Sequence, residues 1–266
     1  MSERVSYTVE NHIAHIKLTR ADKMNALDDA MVDALIAAGE RLKNDEDVRC
    51  AIISGDGRAF CAGLDLSNFA KMSDDSHGTK ERKPLTERSH GITNRMQQVA
   101  WVWRQVPVPV IAVAHGVAIG GGFQIYLGSD IRYAAPKTKF SIMEIKWGLV
   151  PDMGTTHVMS RVIREDILKE LAMTGRVFEA EEALSIGCVT KVCEDPMASA
   201  LETATYIATR NPIAIRSTKR LFDEPADRFV EDTLLLEATL QDEIIGKPNQ
   251  IEAVKAEMEK RAANFS

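Results

Sequence analysis

Val48-Arg49-Cys50-Ala51-Ile52-Ile53-Ser54 runs into Gly55-Asp56-Gly57 and then into Ala59-Phe60-Cys61-Ala62-Gly63-Leu64-Asp65-Leu66. The first seven residues have the length and apolar content of a short buried strand, and the two glycines end it. Upstream, residues 5–18 alternate loosely: Val5, Tyr7 and Val9, then Ile13, Ala14, Ile16 and Leu18. This predicts a β-hairpin with its turn near Glu10-Asn11-His12. Between hairpin and strand, residues 28–43 carry Met31, Leu35, Ala38 and Leu42 at helical spacing behind Asp28, a suitable N-cap. Strand, helix and strand in that order imply parallel pairing through a right-handed crossover.

Downstream, residues 68–90 are polar and lack a clear period, which predicts a mobile surface loop of the kind that often forms a lid. A helix is expected over 85–104, with Ile92, Met96, Val99 and Trp103 on one stripe. A second strand follows at 110–115, then Gly116-Val-Ala-Ile-Gly120-Gly-Gly122 and a helix over 123–129. Residues 131–134 and 139–141 read as further short strands. Helices are expected from Pro151 to about Val162, over 165–173 and over 179–186. From Met197 onward the chain is helix after helix, broken at Asn211-Pro212 and Glu224-Pro225. The organisation is an α/β core with a helical C-terminal extension.

The 266 residues are 45% hydrophobic and 27% charged, an ordinary globular composition, and the net charge is −6. That balance argues against nucleic-acid binding, which needs clustered Lys and Arg. No run is long and apolar enough for a membrane span, and the polar start Met1-Ser-Glu-Arg-Val5 lacks the apolar stretch of a signal peptide. Cys50, Cys61, Cys188 and Cys193 form neither a CxxC pair nor a zinc-spaced cluster, so free thiols in the cytoplasm are expected, with no metal. Gly55-Asp-Gly57-Arg-Ala-Phe60 approximates a dinucleotide fingerprint, but Phe60 fills the place of the third glycine. There is no Walker sequence and no G-x-S-x-G.

Three segments carry the candidate chemistry. Small residues at 61–63 let backbone approach a ligand closely. Glycines 120–122 expose backbone N–H groups at a helix start. The third segment holds Glu144 and Asp152, two carboxylates separated by Gly148 and Pro151 in a largely apolar setting. Each segment alone has an ordinary structural reading: a turn, tight packing, a solvated acid and a helix cap. Together they suit one reaction, in which two amides polarise a thioester carbonyl while a carboxylate moves a proton on the carbon chain.

In order and spacing these segments resemble the crotonase (enoyl-CoA hydratase/isomerase) superfamily over nearly the whole chain. Arg20-Ala-Asp-Lys23-Met24-Asn25-Ala26-Leu27, Asp130-Ile131-Arg132, Thr174-Gly175-Arg176 and Ala180-Glu-Glu-Ala183 with Gly187 extend the likeness. The resemblance implies a spiral of ββα units over residues 1–196 with an acyl-CoA site, and a helical oligomerisation region over 197–266. It implies an oxyanion hole from the amides of Leu64 and Gly121. Lys23, Met24, Ala62 and Leu66 would lie near coenzyme A, and Glu144 would be the main acid/base. It further implies a homotrimer, or trimers paired into a hexamer, and no cofactor beyond the CoA carried by the substrate.

Two positions separate the activities within the family. Gln124, placed at the substrate site, stands where hydratases have a second glutamate. An amide can orient a water but cannot act as a base near neutral pH. Asp152 stands where many hydratases have glycine and where enzymes resembling dienoyl-CoA isomerases have aspartate, although a carboxylate here would also serve as a helix cap. The expected activity is double-bond isomerisation, with 2-enoyl-CoA hydration as the alternative and a non-catalytic acyl-CoA-binding or scaffold protein as the rival of another class.

Overall fold

In the computed structural model, which describes residues 4–68, 84–223 and 230–261, the chain begins with the expected hairpin. β1 (Val5–Glu10) pairs antiparallel with β2 (Ile13–Leu18) in the register Glu10↔Ile13. The two turn residues, Asn11 and His12, both have positive φ, the backbone twist that tight hairpins favour. α1 (Asp29–Lys43) starts at the predicted cap, with the Asp28 carboxylate accepting from the amide of Met31 at 2.8 Å. β3 (Cys50–Gly55) then pairs parallel with β2, Ile13 opposite Cys50.

The next helix, α2 (Arg95–Gln105), begins ten residues later than its apolar stripe suggested. Asn94 and Gln97 form a reciprocal capping box there, and residues 89–93 close a local turn through His90 and Thr93. The remaining core elements are β4 (Val110–Ala114), β5 (Val117–Ile119), α3 (Gly121–Leu127), β6 (Ile131–Ala134) and β7 (Lys139–Ser141). After them come α4 (Thr156–Val162), α5 (Glu165–Thr174), β8 (Phe178–Glu179), α6 (Ala180–Ser185) and β9 (Lys191–Val192). The C-terminal helices are α7 (Pro196–Ala208), α8 (Pro212–Asp223), α9 (Val230–Ile244) and α10 (Pro248–Glu259).

Successive strands go to two different sheets. β1-β2-β3-β4-β6-β9 form one sheet, parallel from β2 onward, while β5-β7-β8 form a second. Single bridges from Leu27 to Leu64 and from Cys61 to Ala118 extend the second layer toward the start of the chain. One strand in the main sheet, the next in the second layer and then a helix is the ββα spiral expected from the family resemblance.

The central strands β3 and β4 are covered on both faces, so they are apolar along almost their whole length. Ala51, Ile53, Val110 and Ala112 face the larger core beneath α1, α2 and α3. Cys50, Ile52, Ile111 and Val113 face Ala200, Ala204 and Ala208 of α7. Helix α7 is thus part of the core packing, although it lies at and beyond the expected boundary at residue 196. Cys50, Cys61 and Cys188 are buried free thiols and Cys193 is half-buried. Among the described residues no helix is long and apolar enough to cross a membrane, and no group of three His, Cys, Asp or Glu side chains could hold a metal ion. The expected lid over 68–90 falls mostly outside the described residues.

Candidate active site

The second layer stitches the 61–65 segment between two neighbours. On one side, Ala62 N–H donates to Met24 O at 2.9 Å, Leu27 N–H to Gly63 O at 2.8 Å and Asp65 N–H to Leu27 O at 3.0 Å. On the other, Cys61 N–H donates to Val117 O and Ile119 N–H to Cys61 O, each at 3.1 Å. This places Gly63 against the start of α3. A Cβ on Gly63 would lie 2.7 Å from Ile119 O and 3.8 Å from Gly121 N, and its φ is +85°. Only glycine fits there, and the residue that follows, Leu64, lines the same cavity as Gly121. Among the described residues neither the Leu64 amide nor the Gly121 amide donates to another protein group. Gly120 turns the chain into α3 at φ +52°, with its N–H held by Ser141 O at 2.9 Å.

Residues 20–28 form the shelf under this segment. Arg20 Nη1 donates to Asp65 Oδ2 at 2.5 Å and to Ala26 O at 3.0 Å, while Asp28 Oδ2 lies 3.6 Å away. Burial pushes the Asp65 carboxyl up, but the amide and hydroxyl of Ser67 and the Arg20 guanidinium outweigh it and hold the pKa at about 2. Asn25, fully buried, donates to Asp56 O at 3.0 Å and Ala59 O at 2.8 Å, tying the shelf to the end of β3.

A cavity of about 1080 Å³ opens over the two amides. Lys23, Met24, Ala62, Leu64, Leu66, Gly121, Glu144 and Asp152 all line it, so the structure brings together eight of the nine residues singled out from sequence. Leu66 is 58% exposed and sits at the rim. The ninth, Gln124, is not on the wall. It is buried behind Glu144, so its expected place at the substrate is corrected to a place in the support beneath it.

Glu144 begins a short 3-10 helix, Glu144–Trp147, and its carboxylate points inward past Gly120. Gln124 Nε2 donates to Oε1 at 2.7 Å, whereas Oε2 is sealed from solvent and accepts nothing. The residue as a whole is half-buried, while its Oε2 is enclosed. Burial pushes this carboxyl above the ordinary glutamate range, opposed by hydrogen bonds from its own backbone, from Gln124 and from Met143. The Gln124 oxygen is itself engaged, accepting from Met153 N–H and Thr155 Oγ1, each at 3.0 Å.

Asp152 does not cap a helix. α4 starts at Thr156 with Thr155 at the cap position, so the helix expected from Pro151 begins later. The reason is tertiary: Met153 N–H goes to Gln124 and Gly154 N–H to Glu237 Oε2 at 3.0 Å, and Gly154 has φ +79°. Side chains take the amides that a helical turn would leave for a cap.

Several lining residues had no signal in the sequence. Gln241 of α9, with Ile245 and Gly246 just beyond its end, lines the same cavity as Asp152 from nearly a hundred residues away. Met96 and Trp147 also line the cavity. Trp101 and Trp103 are core, and Met72 lies outside the described residues.

The family pattern described as enoyl-CoA hydratase/isomerase matches residues 8–266. The mitochondrial Delta(3,5)-Delta(2,4)-dienoyl-CoA isomerase of Mus musculus is 30% identical over 96% of this chain and 79% of its own. Enoyl-CoA hydratase EchA19 of Mycobacterium tuberculosis is 30% identical over 96% of this chain and 93% of its own. The crystal structure of an enoyl-CoA hydratase/isomerase from Pseudoalteromonas atlantica superposes with a TM-score of 0.86 at 26% identity, covering 99% of this chain and 100% of that one. With its two-layered spiral and its match along almost the full length, the chain belongs to the enoyl-CoA hydratase/isomerase (crotonase) superfamily.

Proposed function

We propose that this enzyme shifts double bonds in acyl-CoA thioesters by proton transfer through an enolate, and that Glu144 and Asp152 act as a pair on a dienoyl chain. One member of the pair takes a proton from the carbon next to the thioester carbonyl. The electron pair moves onto the thioester oxygen, held by the amides of Leu64 and Gly121, and the other member returns a proton further along the chain. Lys23, Met24, Ala62 and Leu66 stand at the CoA side of the cavity. The reaction needs no cofactor beyond the CoA of the substrate.

One observation carries this reading. The position where hydration would need a second carboxylate is Gln124, and its amide is spent on Glu144, Met153 and Thr155 rather than offered to a water. The isomerase relative of Mus musculus supports the same choice. Hydration of 2-enoyl-CoA is the second reading, supported by the relative named a hydratase. A non-catalytic acyl-CoA binder would gain nothing from enclosing the Glu144 carboxylate with an unpartnered oxygen.

Incubation with 3-enoyl- and 3,5-dienoyl-CoA in deuterated water tests the assignment. A shifted double bond with deuterium in the acyl chain is expected. A hydroxyacyl product would transfer the assignment to hydration, and binding without conversion would sink both. We further propose a cytoplasmic homotrimer or hexamer built through the C-terminal helical region. Ile213, Leu221 and Phe222 of α8 support it, being 66–74% exposed in the single chain.

A further inference from the structure

Helix α9 brings a third carboxyl group to the pair. Glu237 is only 6% exposed. Its Oε2 accepts from the amide of Gly154, two residues beyond Asp152, at 3.0 Å, while its Oε1 is sealed from solvent without a hydrogen-bond partner. One turn along α9, Gln241 accepts from Val150 N–H at 3.3 Å and lines the cavity. One face of α9 therefore holds both ends of the 150–154 segment on which Asp152 is carried.

The groups facing Glu237 are the Asp152 carboxylate, the Gln97 side chain from α2, and the amides of Gly154 and Thr156. Asp152 is the charged one among them. Burial pushes the Glu237 carboxyl up, the Gly154 amide opposes it, and the Asp152 charge raises it further, to about 8. Two carboxylates whose charges act on each other do not both ionise readily, and the more deeply buried one, Glu237, keeps the proton.

We propose that Glu237 is a positioning residue for Asp152: held protonated, it anchors the 152–154 turn through Gly154 and leaves Asp152 as the charged member of the couple. This deepens the isomerase reading and rests on it. Glu237 exchanges no proton with the substrate, and no covalent bond changes at it during turnover. When it ionises at alkaline pH, a second negative charge faces Asp152 and raises the proton affinity of that carboxylate. Turnover then falls because the acid/base pair is no longer tuned.

Infrared titration of the full-length protein from pH 6 to 10, with the Glu237→Gln and Asp152→Asn variants beside the wild type, reads the couple without using activity. A protonated-carboxyl band lost around pH 8, absent in Glu237→Gln and lost about one pH unit lower in Asp152→Asn, is expected. A band unchanged in Glu237→Gln, or a transition unmoved by Asp152→Asn, overturns the proposal. Isomerisation kinetics supply the second arm. The alkaline fall in kcat should flatten in Glu237→Gln while KM stays near that of the wild type. An alkaline limb identical in both overturns the positioning role. If the wild type isomerises no dienoyl-CoA, the functional reading fails, and the infrared shift in Asp152→Asn still decides whether the couple exists.

Discussion

Gln124 Nε2 donates to Glu144 Oε1 at 2.7 Å, from an amide whose oxygen already accepts two hydrogen bonds from the 153–155 segment. One buried side chain thus fixes Glu144 and the turn that follows Asp152. It leaves Glu144 Oε2 enclosed and without a hydrogen-bond partner. Glutamine suits this role better than glutamate, since its N–H₂ end donates to a carboxylate and its C=O end accepts from an amide and a hydroxyl.

Replacing Glu144 by Gln keeps the shape and removes the base. A loss of roughly 10²–10⁴ in turnover is expected, with hydrogen exchange into the acyl chain falling in step. Mass spectrometry of substrate recovered from deuterated water reads it. Exchange at the wild-type rate would remove Glu144 from the mechanism.

Gln124→Glu retains the acceptor end but sets a like charge against Glu144 and withdraws the donor that favours its charged form. Glu144 is already above the ordinary range through burial, so its pKa rises further. The base works only when ionised, so the acid limb of the rate–pH profile should move to higher pH. Gln124→Met instead strands Met153 N–H and the Thr155 hydroxyl, and should destabilise the fold by about 1–3 kcal/mol for each group left unpaired, read by denaturant unfolding.

Gly63→Ala forces a Cβ to within 2.7 Å of Ile119 O at a φ of +85°. The backbone must shift where the two amides meet. Turnover should drop about 10²–10³-fold, the loss typical of one misplaced oxyanion donor. Binding of a saturated acyl-CoA, measured by calorimetry, should change far less than kcat.

Two groups give stability opposite pH dependences. Asp65 has a depressed pKa of about 2, so its contribution is full above the ordinary carboxylate range and is lost as pH falls toward 2. Arg20→Met should therefore make the protein less resistant to acid, with circular dichroism showing unfolding at higher pH. Glu237 has a raised pKa of about 8, so its contribution is full below the ordinary range and is lost as pH rises through 8. Melting temperatures of Glu237→Gln should fall less between pH 6 and pH 9 than those of the wild type. An equal fall would contradict the assignment.

Read from the residues alone, much of the core was determined: the hairpin, the Asp28 cap, the parallel pairing of β2 with β3, and the closely packed glycines at the cavity. These follow from local rules, because side-chain period, capping chemistry and positive-φ positions act over a few residues. Where the local signal was weak, tertiary contacts decided. α2 starts at its capping box rather than with its apolar stripe, and α4 starts late because Gln124 and Glu237 take the amides of residues 153 and 154. The part played by Gln124 behind Glu144, and the arrival of Glu237, Gln241 and Ile245 beside Asp152, belong wholly to the folded chain. They join residues tens to nearly a hundred positions apart, and nothing in a linear pattern records which buried carboxyl will face which.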